Sequence, residues 1–178
     1  MIDFSEAALA EAEAIPTEVT EEEKVGRLDL TNELIFSIDG ASTKDRDDAV
    51  SIKINERGNY VVGVHISDVT HYVHPGMKLW EEALQRGTSV YMADTVIPML
   101  PHKLSNGICS LNPNVERLAM SCIMEIDNKG NVVDYEIFES VIKSRIQMTY
   151  KKVNLFLEEN VISDGYEDYT DSLTLMAE

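Results

Sequence analysis

Cysteine is scarce in this sequence, and so is positive charge. The two cysteines among 178 residues, Cys109 and Cys122, sit inside apolar stretches and form no C-x-x-C pair. That spacing argues against a disulfide scaffold or a thiolate zinc site and predicts buried, reduced thiols. No run approaches the roughly 18 to 20 uninterrupted apolar residues of a membrane-spanning helix. The first six residues, MIDFSE, lack the basic and apolar regions of a signal peptide. A cytoplasmic protein with no membrane partner is the expectation. Lys and Arg number 15 against 32 Asp and Glu, for a formal net charge of -17, which is a poor balance for gripping nucleic-acid backbone by charge alone.

The distribution of charge softens that objection. Residues 1–24 hold eight acids against Lys24 alone, and residues 153–178 hold seven acids and neither Lys nor Arg, leaving 17 acids against 14 bases between them. Acidic excess at two ends reads as solvated segments, with any main basic surface lying elsewhere. A length of 178 residues with 44% hydrophobic content is enough for one domain with its own core.

Local pattern predicts an α+β fold, mainly an antiparallel sheet with flanking helices. Ser5 precedes a run of strong helix formers ending before Pro16, so a capped leading helix spans 5–14. The apolar run 34–38 reads as a strand that delivers the chain to Asp39. Residues 48–54 and 60–66 alternate around the turn residues 55–59, and 118–126 and 132–141 do so around 127–131; each pair predicts a β-hairpin. Residues 77–86 and 150–159 read as helices. On the first, Leu79, Trp80, Ala83 and Leu84 are expected to face the core. The prolines of 96–101 exclude a central strand there. The chain divides into an acidic leading helix and linker at 1–25, a main body at 26–150, and a helix with an acidic tail, expected to fray, at 151–178.

The densest chemistry lies in DGASTKDRDDA, residues 39–49, where Asp39, Asp45, Asp47 and Asp48 fall within ten residues between two strands. Crowded carboxylates repel and raise one another's pKa unless a cation relieves them. Magnesium suits such a place because it accepts a few carboxylates, keeps waters and takes substrate phosphate in its remaining positions. A solvated polar loop is the plain alternative, but strands on both flanks would hold these side chains in fixed geometry. An EF-hand starting at Asp45 fails: Ala49 cannot ligate at position five, and Val50 replaces the glycine at six. His71 and His74 have no further ligand at zinc spacing and are expected to be core or loop histidines.

The stretch resembles the acidic signature of the RNB catalytic domain, the family of ribonuclease II, ribonuclease R and the eukaryotic exosome nuclease. GVHISDV (63–69), RGTSVY (86–91), IPMLP (97–101), LSNGICSLNP (104–113) and RLAMSC (117–122) are similar to that domain in order and spacing. The match covers roughly 26–150 and is closest to the ribonuclease R branch. The resemblance implies a partial RNB catalytic domain and a 3′-to-5′ hydrolytic exoribonuclease releasing nucleoside 5′-monophosphates from single-stranded RNA with Mg2+. It implies that Asp39, Asp45, Asp47 and Asp48 form the acidic floor, with Asp39 and Asp48 the direct metal ligands and Asp47 the position most sensitive to mutation. Tyr91 matches the aromatic position that packs against the 3′-terminal nucleotides. Arg27 and Arg86 are candidates for phosphate contact and equally for surface ion pairs. The family's arginine, glutamate and second aromatic clamp have no counterpart here, nor do its oligonucleotide-binding barrels, so the chain alone is expected to be inactive. The alternative is a non-catalytic RNA-binding or interaction module that retains the fold.

Overall fold

A computed structural model describes residues 3–93 and 95–178. The chain runs α1 (Glu6–Ala14), β1 (Leu28–Leu30), β2 (Phe36–Asp39), β3 (Asp48–Ile54), β4 (Tyr60–Ser67), α2 (Val69–Tyr72) and α3 (Lys78–Arg86). It continues through β5 (Val90–Tyr91), β6 (Val96–Ile97), a π-turn at Leu104–Ile108, β7 (Glu116–Ile126), β8 (Val132–Lys143) and β9 (Ile146–Thr149). It ends in α4 (Tyr150–Glu159), a 3-10 turn at Glu167–Tyr169 and α5 (Thr170–Ala177). Seven strands form one sheet in the order β1-β8-β7-β4-β3-β2-β9, and β5 and β6 make a separate ribbon. The four inner pairings are antiparallel, while β1 on β8 and β9 on β2 are parallel. This is the mainly antiparallel α+β class expected.

Both predicted hairpins close through the same device. Asn55 Oδ1 accepts from the backbone N–H of Arg57 and Asn59 at 3.0 Å each, and Asp127 Oδ1 accepts from those of Lys129 and Asn131 at 2.9 Å each. Gly58 and Gly130 take φ near +80°, where a side chain would be strained. The long β7–β8 pair carries a register shift at Glu125 and Ile126.

Helices cover the two ends of the sheet. Ser5 caps α1 through its Oγ, and Ala8 and Ala12, both buried, let α1 lie close to Leu79 and Ala83 of α3. Glu11 then caps α3, accepting from Lys78 N and Leu79 N at 3.0 and 2.9 Å. These backbone bonds, the largest influence on it, hold its carboxyl below the usual range. Tyr72, Leu104, Leu118 and Val141 complete this core, each Leu contributing about 1.5–3 kcal/mol by burial. Leu84 does not join it, being 72% exposed. Five residues at 100° each carry it off the face that Leu79 and Ala83 share, so the expectation for this residue is corrected. Trp80 is half-buried against the same core.

At the other end Phe36 and Met148 pack against Val153 of α4, Tyr166 and Leu173 of α5. Tyr166 and Leu173 are each 2% exposed, and the Tyr166 hydroxyl accepts from Thr149 N at 2.9 Å. The tail therefore docks rather than frays. Its apolar residues are separated by the 3-10 turn, which breaks the periodicity that would have announced a helix.

A polar network lies inside the sheet. His65, fully buried, exchanges hydrogen bonds with Ser121 Oγ (2.7 Å) and Ser51 Oγ (3.1 Å), and Ser121 continues to Ser140 at 2.7 Å. Burial drops its pKa to about 4, so the ring is neutral. A Cβ on Gly63 would stand 2.3 Å from Ser51 Oγ and 2.8 Å from His65 Nε2. Of the two thiols, Cys109 is buried, which pushes its pKa up to about 12, and Cys122 is only half-buried. Among the described residues no helix is long and apolar enough to cross a membrane.

Candidate active site

Asp39 ends β2 and Asp48 begins β3, so the adjoining ends of two neighbouring inner strands hold both ends of the acidic loop 40–47. The loop is tied down from three directions. Arg46 N donates to Ser110 Oγ (3.1 Å), Leu111 N donates to Arg46 O (2.9 Å), and Ser110 Oγ donates to Lys44 O (2.7 Å). From β4, Ser67 N donates to Asp47 O at 2.9 Å, and Ser67 Oγ reaches Cys109 O at 2.6 Å. From β9, Gln147 Nε2 reaches Gly40 O and Thr43 O at 3.4 Å each. The 104–113 block is thus the clamp that gives the acidic loop its shape. Sequence reading singled out that block without a role, and it passed over Arg46 and Gln147. A cation inside a run of aspartates was the available signal for the first; the second has none, because it lies about a hundred residues away.

The loop backbone is tethered, but not every carboxylate is paired. Asp39 Oδ2 is shut from solvent with no hydrogen-bond partner. Asp47 retains solvent contact, yet the loop strips part of its hydration, and the charges of Asp45, Asp48 and Asp39 add to that loss; together they raise its pKa. The four predicted aspartates therefore act on one another. They do not make a finished cage, since among the described residues no group of three or more His, Cys, Asp or Glu side chains is arranged to hold a metal ion. The donor set fits a hard cation that takes one or two carboxylates and fills its shell with water and phosphate oxygens, as Mg2+ does. The orphaned Asp39 oxygen and the strained charge at Asp47 are what such an ion would relieve.

Tyr91, at the end of the β5 strand, is 64% exposed and donates its hydroxyl to Asp45 Oδ2. That bond, more than any loss of water, raises the phenol to about 12. Two grooves meet at this pair. One, of about 550 Å³, includes Thr43, Lys44, His102 and Asn106; the other, of about 410 Å³, includes Asp47, Ser67 and Met99. Tyr91 and Asp45 thus border both grooves, and Asp47 borders the second.

The two arginines lie elsewhere. Arg27, its side chain 4% exposed, donates to Asp68 Oδ2 at 2.6 Å and stands 3.4 Å from His71 Nδ1. Arg86 lies over the Phe4 ring at 3.7 Å and donates to Pro98 O and Asp3 O. Arg27 ties the segment before β1 to α2, and Arg86 ties α3 to the leading residues and to the loop after β6. His71, on the short helix α2 rather than in a loop or the core, faces Glu23 at 3.0 Å, and His74, in the loop that follows, faces Pro75 O at 3.4 Å.

Comparison with known proteins gives a consistent result. The family profile described as RNB domain matches residues 27–178, which extends past residue 150, where the sequence resemblance faded. The sequence is 51% identical over 177 residues to ribonuclease R 1 of Lactococcus lactis, covering 99% of this chain and 22% of that protein. It is 52% identical over 169 residues to ribonuclease R of Thermotoga maritima, covering 95% and 24%. The chain thus spans about a quarter of the length of these curated relatives. Among solved structures, Mycoplasma genitalium RNase R in complex with ribose-methylated single-stranded RNA superposes with a TM-score of 0.90 at 30% identity, over 98% of this chain and 27% of that one. The same enzyme with double-stranded RNA gives 0.89 over 99% of this chain.

Proposed function

The chain belongs to the RNB-domain family, and from that premise we propose that it forms the acidic floor of a 3′-to-5′ exoribonuclease that hydrolyses single-stranded RNA to nucleoside 5′-monophosphates. The observation that carries this reading is the meeting of Asp39, Asp45, Asp47 and Asp48 in one tethered loop beside the exposed ring of Tyr91. The RNA-bound state of the Mycoplasma enzyme supports the choice of polymer.

Asp39 and Asp48 would hold the metal, and Asp47 and Asp45 would orient the attacking water by accepting its hydrogen bonds. Bound there, Mg2+ supplies charge stabilisation at the scissile phosphate and acidifies a coordinated water. Tyr91 stacks on the terminal base, an interaction worth roughly 1–3 kcal/mol and indifferent to base identity. With four aspartates against Lys44 and Arg46, residues 39–48 carry a formal net charge of -2, and a cation bound there would ease the approach of phosphate.

The test is 5′-labelled single-stranded RNA incubated with Mg2+ and the full-length protein or its Asp47→Asn form, with products resolved on a sequencing gel. A ladder shortening from the 3′ end, absent with Asp47→Asn, is expected. Cleavage within the strand, or an unimpaired variant, overturns the reading. The 178-residue chain by itself is expected not to cut.

A further inference from the structure

The acidic loop contains two cations, Lys44 and Arg46, and Arg46, like Arg117 and Arg145, spends its hydrogen bonds on neutral acceptors. Lys24, Lys53, Arg57, Lys78 and Lys103 each pair with a carboxylate. Arg46 lies between Asp45 and Asp47 in sequence, yet among the described residues its guanidinium forms no ion pair. Its hydrogen bonds go to neutral acceptors: Asn112 Oδ1 at 2.7 Å, Thr43 O at 2.9 Å, Lys44 O at 3.5 Å and Gln147 Oε1. Its Nε is buried with no partner. Asn112 is itself held by Asn106 O at 3.1 Å. A guanidinium fork can bridge a loop carbonyl, an amide on β9 and an amide of the 104–113 block at once, which a single ammonium cannot.

We propose that Arg46 is the positioning residue of the acidic loop: it fixes the loop's shape through neutral acceptors and so leaves the aspartate oxygens free for a divalent cation. Had it paired with Asp45 or Asp47, it would have occupied the lone pairs that a metal and a water need. The clause about the cation rests on the function proposed above; the clause about loop shape does not.

The experiment follows amide hydrogen exchange of residues 40–48 in EDTA, together with Mn2+ affinity from the electron-spin signal of the free ion, in the parent chain, Arg46→Met and Arg46→Lys. Arg46→Met is expected to speed exchange of the loop amides by about tenfold while β4 and β7 keep their protection, and to weaken Mn2+ binding by about 10- to 100-fold. Arg46→Lys, which returns the charge without the fork, is expected to recover neither. Unchanged loop exchange in Arg46→Met overturns the proposal, as does full recovery with Lys or a loss of protection spread over β4 and β7. A loop that loosens in a chain whose parent binds no Mn2+ supports the positioning role and counts against the metal reading instead.

Discussion

Two aspartates close turns of the same sheet and are treated in opposite ways. Asp127, between β7 and β8, receives backbone N–H groups from Lys129 and Asn131 and the Asn131 side-chain amide on both of its oxygens. Those bonds, led by the Asn131 side chain, hold its carboxyl below the ordinary range. Asp47, between β2 and β3, accepts no hydrogen bond on its carboxylate among the described residues, and its pKa is raised. The first turn is built to keep an anion content; the second keeps several anions discontented on a backbone that is firmly held. A carboxylate whose bonds are filled by its own turn serves the fold, and one left unfilled on a rigid frame is available to something else.

Breaking this contrast should give effects of different size and kind. Asp47→Asn is expected to lower exonuclease turnover of the full-length protein by on the order of 100-fold or more. In EDTA its melting temperature should equal or exceed the parent's, because a repelling charge is gone. A melting temperature that falls would mean that Asp47 serves the fold as Asp127 does.

His65 sharpens the contrast from a third side, being satisfied, buried and uncharged. Its folded pKa of about 4 lies below the ordinary value of 6.5. The unfolded chain therefore takes up a proton first as pH falls. Stability is full above pH 6.5 and drops by up to about 3 kcal/mol as pH approaches 4. An imidazole that stays neutral in an NMR titration down to pH 5 is the expected readout, and protonation near 6.5 would contradict it. The smallest effect belongs to Asp127→Ala, which should lower the melting temperature and leave Mn2+ affinity alone. Its depressed pKa contributes stability above about 3.8, so the deficit should shrink as pH falls through the folded value.

What the sequence disclosed was what neighbours in the chain decide. The 55–59 and 127–131 turns, the capping Ser5 and the crowding of aspartates are all local, and each appears where expected. The family resemblance added the roles proposed for the 39–49 stretch and for Tyr91. What it withheld depends on distant partners. Arg27 finds Asp68 across 41 residues, and the short strand β9 is legible only beside β2. Leu84 looked apolar enough for the core and was placed outside it by the angle of its helix. Tyr166 and Leu173 find their core across an irregular turn that no single period describes.

The parallel seat of β9 beside β2 has a consequence in time as well as in space. Gln147 meets Gly40 across 107 residues, so the chain must close a long loop, at an entropic cost, before the acidic loop acquires its support. In pulse-labelled refolding, amides of 40–47 should gain protection after those of the β3–β4 hairpin; simultaneous protection would refute this order. During synthesis all four aspartates leave the ribosome long before the residue that steadies them has been made. A nascent chain of this kind therefore carries its acidic loop unset, and fixes it only after the sheet beside it is complete.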